Sequence, residues 1–383
     1  MTRAHGCGHA LLVAAAVLGL AAAPAGPPAV PTDSEGFWLA VPPYEFRFPI
    51  DHASHPTYRI EWWYYTGHLR AGERRFGYEL TFFRLGVPVA TNSAKPASAW
   101  RASQLMFRHL TLTDENGKRF FTDESAERAA LDLAGADSTR YLVWIGDDYA
   151  GLEADRRTHR LVASSGPAAS TPIALDLRLV PEKPPVIHGE RGVSQKSAGV
   201  GNASHYYSLT RLATRGRLVL GKDTLAVEGR SWMDHEFSSD RLRDTHAGWD
   251  WFSIQLSDGR DLMLYRLRRK DGGLEPLSSG TLVEPDGRWQ RVRYSDFDTG
   301  PTGAWQSTRT GGRYPSGWVV RVPRAGLELK LEPSVLDQEL WVKSMGGLAY
   351  WEGSVRVTGT SAGQPVTGEG YVELTGYAGR TPF

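Results

Sequence analysis

Apolar side chains recur at every second position in segment after segment of this chain, and helical spacing is almost absent. Ile173, Leu175, Leu177 and Leu179 share one face of a segment whose other face carries Ala174, Asp176 and Arg178, which is the period of a pleated strand. Ile60 to Leu69 and Phe76 to Arg84 read as a hairpin across Ala71-Gly72-Glu73. Further turns are signalled at Glu115-Asn116-Gly117, Asp258-Gly259, Asp271-Gly272-Gly273 and Asp286-Gly287. The 42 Gly and 23 Pro, with 13 Trp, 15 Tyr and 13 Phe, suit many short strands joined by turns. One short helix is expected over Glu124 to Leu133, opened by Asp123 as N-cap. No tandem period of roughly twenty to fifty residues is present, which argues against a propeller or solenoid. The expected fold class is all-β, two β-barrels or sandwiches in tandem, each large enough to enclose a ligand.

The first segment reads as a signal peptide over residues 1–25. Arg3 precedes an apolar run from Ala10 to Ala23, and Ala21-Ala22-Ala23 or Ala23-Pro24-Ala25 offers the small-x-small cleavage pattern. A mature start between Pro24 and Pro31 predicts a periplasmic or secreted protein with no integral membrane segment, since no other apolar stretch approaches about twenty residues. The one cysteine, Cys7, leaves with the signal, so disulfides, thiolate metal sites and a cysteine nucleophile are excluded. About 355 mature residues exceed one ordinary core and predict two domains. The alternation stops at Ser238 and restarts at Trp249, which places the boundary near Asp240 and the domains at 37–240 and 245–383. Pro181 to Ser204, rich in Pro, Gly and Ser, reads as a long loop. Lys plus Arg (44) and Asp plus Glu (43) nearly cancel, with no basic block, so nucleic acid is an unexpected partner.

Most of the potential chemistry sits between Gly229 and Arg268. Asp234, His235 and Glu236 stand beside Trp232, and Trp249, Asp250 and Trp251 open a strand. Asp250 falls on the face of Phe252, Ile254 and Leu256, where a carboxylate must be paired, bound to something, or shifted in pKa; an Arg or backbone donors would satisfy it as a core residue. Asp234-His235-Glu236 alternate in direction along a strand and lack an HExxH pattern, so no metal is expected there. An acid/base role fits better, against the alternative of an ion-pair network with Arg230, Arg241 or Arg243. Glu61 to Leu69 carries aromatics on both faces, which suits a strand buried on both sides; the functional reading makes Trp63 and Tyr65 a ligand wall with Glu61 as its polar contact. Gly359-Thr360-Ser361-Ala362-Gly363 matches G-x-S-x-G, yet it precedes a strand rather than a helix and reads as a hairpin turn. No phosphate-cradling loop is found, and no cofactor is expected.

With these residues in view, the chain resembles the AttH and carotenoid 1,2-hydratase family, in the secreted branch of predicted hydrolases. The resemblance rests on EWWYYTGHL (Glu61 to Leu69), ASHYYSLTRL (Ala203 to Leu212), GRSWMDHEFSSD (Gly229 to Asp240), GWDWFSIQLSDGRDLMLYRLR (Gly248 to Arg268) and GEGYVELTGY (Gly368 to Tyr377). It implies two lipocalin-like domains with a cavity, and roles from carotenoid hydration to hydrolysis to plain ligand binding. It also implies acid/base machinery at the Asp-His motif and on a later strand, matched by His235 and Tyr265. Phe237 stands where a Trp is expected and Leu267 where an acid is, leaving Asp261 or Asp250 as substitutes. The expected function is action on a large apolar molecule, a terpenoid, pigment or lipid, by hydration or ester cleavage; the alternative is a non-catalytic carrier. Asp234, His235, Asp250 and Tyr265 are the catalytic candidates, with Asp234, His235 and Asp250 expected to meet at one end of the cavity. Glu61, Trp63, Tyr65, Trp232, Trp249 and Trp251 are the ligand-binding candidates.

Overall fold

The computed structural model describes residues 1–2, 30–88, 102–239 and 242–379. The expected signal segment with its apolar run, and Asp240 with Arg241 in the expected linker, lie outside the described residues. Chain contacts separate Met1–Val30 from Pro31–Phe383, and everything below belongs to the second unit.

The first sheet opens with four long antiparallel strands, β1 (Ile60–Ala71), β2 (Arg74–Gly86), β3 (Gln104–Asp114) and β4 (Arg119–Arg128). Shorter strands follow: β5 (Ala134–Ala136), β6 (Leu142–Ile145), β7 (Asp148–Leu152), β8 (His159–Ser164), β9 (Ile173–Pro181), β10 (Val186–Ile187) and β11 (Ser194–Gln195). The long pair β12 (Ala203–Leu220) and β13 (Asp223–Ser238) completes it. The order β4-β3-β2-β1-β13-β12-β9-β8-β7-β6-β5 brings its two ends, β4 and β5, back into contact, so the sheet is a nearly closed barrel. The second sheet contains β14 (His246–Leu256), β15 (Asp261–Arg269), β16 (Ser279–Val283), β17 (Trp289–Arg293) and β18 (Asp298–Pro301). After a separate ribbon of β19 (Ala304–Gln306) and β20 (Arg313–Pro315) it continues with β21 (Trp318–Val322), β22 (Leu327–Pro333), β23 (Glu339–Val342), β24 (Leu348–Ser361) and β25 (Gln364–Thr375).

The all-β expectation holds, with one correction. Glu124 to Leu133 is not a helix; its first half is the end of β4, paired with β3 from Leu105↔Arg128 to Asp114↔Arg119. Edge pairing with β3 overrides the helical propensity of Glu124, Ala126 and Glu127. The expected 60–84 hairpin forms, paired from Ile60↔Leu85 to Ala71↔Arg74, and Ser361 leads into a two-residue turn in which Ala362 and Gly363 have φ of 48° and 78°, the left-handed pair that a tight hairpin needs. Pro181 to Ser204 is mostly irregular but contributes β10 and β11 to β12.

Strand alternation sorts side chains into three layers. Tyr65, Tyr78, Leu80 and Phe82 fill the first barrel; Phe252, Ile254, Trp351 and Val372 fill the second sheet's core. The opposite faces of the same strands meet each other. Tyr64, Tyr206, Trp251, Tyr265 and Tyr371 form a cluster between the sheets. The seam is fastened by polar contacts: the His68 ring Nε2 donates to the Gly370 carbonyl (2.9 Å), Thr113 Oγ1 donates to Gln338 (2.7 Å), and Glu115 accepts from Arg75 (3.3 Å) and Arg356 (2.9 Å). β1 is therefore buried on both sides, as its double aromatic pattern requires.

Candidate functional site

A cavity of about 160 Å³ opens between the two sheets. Its walls are largely apolar, from Trp62, Phe83, Trp249, Trp251, Leu267 and Leu348. Set into these walls are Asp234, Glu236, Glu373, Lys196 and Tyr265, a few polar groups in an apolar cleft, as small-molecule sites commonly show.

Asp234 projects from β13 into this space beneath a fan of donors. Tyr206 Oη (2.6 Å) and Trp232 Nε1 (2.6 Å) donate to it, as does the Ser208 hydroxyl. Trp251 Nε1 in turn donates to Tyr206 Oη (3.1 Å), so the cavity wall and the carboxylate are held by one chain of hydrogen bonds. Burial pushes the Asp234 carboxyl up to about 7 while the three donors oppose the shift. Glu373, on β25, receives one donor, Trp249 Nε1 at 2.8 Å, and burial raises it to about 7 as well. Lys196 pairs with Glu236 (3.0 Å) and lies over the rings of Tyr265 (4.5 Å) and Tyr206 (4.9 Å), so its charge is held by one carboxylate and two π faces. Tyr265 accepts from Ser279 Oγ (3.0 Å).

The expected site residues divide among the three layers. Asp234, Tyr265, Trp249 and Trp251 line the cavity; Trp232 stands behind Asp234 and orients it. Trp63 and Tyr65 do not reach the cavity. They point into the first barrel, where Trp63 Nε1 donates to the His52 carbonyl (2.9 Å) and the Tyr65 hydroxyl meets those of Tyr141 (2.6 Å) and the His159 ring (2.9 Å). Their neighbours Trp62 and Tyr64 take the wall, because adjacent residues of a strand face opposite ways. The same rule separates Asp234 from His235. The expected meeting of Asp234, His235 and Asp250 does not occur: His235 faces the first barrel, and Asp250 faces the second sheet's core, bonded to Arg268 (2.9 Å) and Tyr377 (2.9 Å). The compensating charge for Asp250 comes from Arg268, not His235. Asp261 is also committed elsewhere, to Arg211 (2.6 Å) and Lys183 (2.7 Å).

Glu61 is not a cavity contact but the centre of a buried network. Its carboxylate accepts from Arg84 Nε (2.8 Å), Ser54 Oγ (2.8 Å), His55 Nδ1 (2.9 Å) and His235 Nε2 (2.9 Å). Burial opposes its ionisation, but Arg84 and the histidine donors outweigh it and hold the carboxyl well below its ordinary range. His55, Glu61 and His235 also place their ligand atoms within 4.8 Å of one another, the one such grouping among the described residues. Arg84 already neutralises Glu61, and both carboxylate oxygens are occupied by donors, so hydrogen bonding accounts for the cluster without a metal. The alternation pattern that exposed Asp250 in the sequence also marks Glu373, which shares a face with Tyr371. Lys196 carried no such signal, since it lies in the irregular segment before β12.

The chain matches the AttH-like family over residues 39–377. No curated protein sequence matches it. An AttH protein of Nitrosomonas europaea superposes with a TM-score of 0.76 at 32% identity, covering 88% of this chain and 98% of that one. Kievitone hydratase from Nectria haematococca superposes with a TM-score of 0.66 at 14% identity, covering 86% and 92%, a likeness of fold alone. Sequence match and two-sheet architecture agree that the chain belongs to the AttH-like family.

Proposed function

We propose that the protein adds water across a C=C bond of an elongated apolar molecule, of the terpenoid or prenyl-bearing kind, held between the two sheets. The observation that carries this reading is a pair of buried carboxyls, Asp234 and Glu373, facing one apolar cavity with unequal hydrogen bonding. Three donors aimed at Asp234 favour its ionised form; Glu373 has one donor and keeps its proton. Glu373 protonates one alkene carbon. The cation left on the other carbon faces the Trp249 and Trp251 rings, and Asp234 takes a proton from the water whose oxygen bonds to that carbon. Lys196 and Tyr265 sit at the polar wall, where they orient a hydroxyl or carbonyl of the substrate. The solved hydratase that shares the fold adds a consistent precedent.

The test is incubation of the purified protein with a panel of prenylated phenols and acyclic terpenes in isotopically labelled water, followed by mass analysis. One or more members should gain the labelled oxygen, and Glu373→Gln should abolish the gain. Ligands that quench Trp fluorescence on binding yet are recovered unchanged would make the protein a carrier instead.

A further inference from the structure

Behind Glu373 the layer between the sheets holds more acid than base. Glu352 on β24 is the direct cross-strand partner of Glu373 on β25, and opposed residues of an antiparallel pair bring their Cβ atoms to roughly 5 Å on one face. Glu79 enters the same layer from β2, which touches β24. Glu79 and Glu352 are fully buried, and each has one carboxyl oxygen, Oε2, without a hydrogen-bond partner. The other oxygen of Glu352 accepts from Tyr64 Oη (2.7 Å), and that of Glu79 from the Thr81 hydroxyl.

Among the described residues, the groups that face these acids from the neighbouring strands are neutral, and the one cation whose field reaches them is shared with other acids. From β1 comes Tyr64, from β24 Tyr350 and from β25 Tyr371, all neutral hydroxyls that burial first, and then these same acids, push further from ionisation. From β3 comes His109, which burial and Arg108 drive down to about 3, with Nδ1 on the Tyr350 hydroxyl (2.6 Å). Arg108, whose field reaches Glu79, is engaged by Asp123 (2.8 Å) and Asp148 (2.9 Å). Lys196 is engaged by Glu236. Ionised carboxylates with bare oxygens, side by side in a dry layer, are untenable; a shared proton supplies the missing donor and removes the repulsion.

We infer that Glu79, Glu352 and Glu373 form a buried proton store whose cavity-facing member is Glu373. Its use rests on the hydration reading; its existence does not. When Glu373 gives its proton to the alkene, Glu352 and Glu79 keep theirs, because they hold a proton more tightly than Glu373, and the new charge on Glu373 therefore meets neutral neighbours. The proton that Asp234 takes from water returns through the cavity to refill the store. Burial sets the levels: Glu79 is pushed up to about 8 and Glu352 well above its ordinary value, with the Glu373 charge adding to both, and Glu373 is pushed up to about 7, with the Asp234 and Glu236 charges adding to it.

Infrared spectra of the full-length protein near neutral pH test the store without a substrate. The wild type should show the C=O stretch of protonated carboxyls, shifted in deuterated water, and Glu352→Gln and Glu79→Gln should each weaken it. An acid whose folded pKa is raised gives stability that is present below the unfolded value and lost as pH rises toward the folded one. Each Gln variant, which keeps an acceptor for its hydroxyl neighbour, should therefore gain in melting temperature over wild type as pH climbs from about 5 to about 8. A wild-type spectrum lacking the band, or a melting difference flat across that range, overturns the store. Bands present with no water added to any alkene would sink only the proposed reaction; hydration in a protein lacking the bands would sink only the store.

Discussion

Asp234 and His235 leave one strand in opposite directions and answer to different demands. Asp234 meets a cavity; His235 meets Glu61, the Asp51 carbonyl (3.0 Å) and the face of Trp63 (4.9 Å). His235→Ala should therefore destabilise the fold by about 1–3 kcal/mol, the cost of leaving a buried acceptor without its donor, read as a lowered urea midpoint. Asp234→Asn should lower that midpoint less than His235→Ala, since the amide oxygen still accepts from Trp232 and Ser208 and only the Tyr206 hydroxyl loses its acceptor, while removing the base needed for water addition. Loss of turnover in His235→Ala at full stability would return the histidine to the reaction. In the sequence the two residues were equally suspicious, because adjacency shows which strand they share and not which layer each enters. Asp250 shows the same boundary of inference: alternation placed it on an apolar face, but Arg268 as its partner emerges only from the pairing of β14 with β15.

At the scale of elements, alternation carried most of the architecture. It marked the β1–β2 hairpin, the start of β14 and the Ser361 turn, because each depends on neighbours close in the chain. It failed at Glu124 to Leu133, where local propensity yields to an edge strand, and it was silent over Pro181 to Ser204, where Lys196 is positioned by β11 and the segment after it. For β1 it showed burial on both faces and could not say which face sees the cavity. The strand offers a direct comparison. Trp63→Ala should cost about 3–5 kcal/mol as a fully buried ring removed from a packed core. Trp62→Ala, on a half-buried residue at the cavity, should cost far less stability and instead weaken quenching by a long apolar ligand. Equal losses of stability in both variants would contradict the layer assignment.

At the scale of the whole molecule, titration should couple the layers. His52, His159, His188, His205 and His235 are held below their ordinary values by burial, so the unfolded chain takes up their protons first, and their stability is lost as pH falls below about 6.5. Glu61 and Glu115 are depressed carboxyls, so their contribution is present above the unfolded value of about 4.5 and lost below it. Between these limits the raised acids Asp234, Glu79, Glu352 and Glu373 work the other way and gain stability as pH falls. Stability should thus change little from about pH 6.5 to 4.5 and collapse below it. Circular dichroism and Trp emission should fall together, because histidines of the first barrel and acids of the seam titrate in one structure; transitions separated in pH would show the sheets unfolding apart. The double-sided burial of β1 has a further consequence. A strand with a core on one side and a partner sheet on the other has no idle positions, so the run from Glu61 to Leu69 is a label for how the two sheets are joined. A change anywhere along it disturbs a core or the joint, whereas the few side chains that line the gap, Asp234, Glu373 and Lys196 among them, are free to differ without touching either.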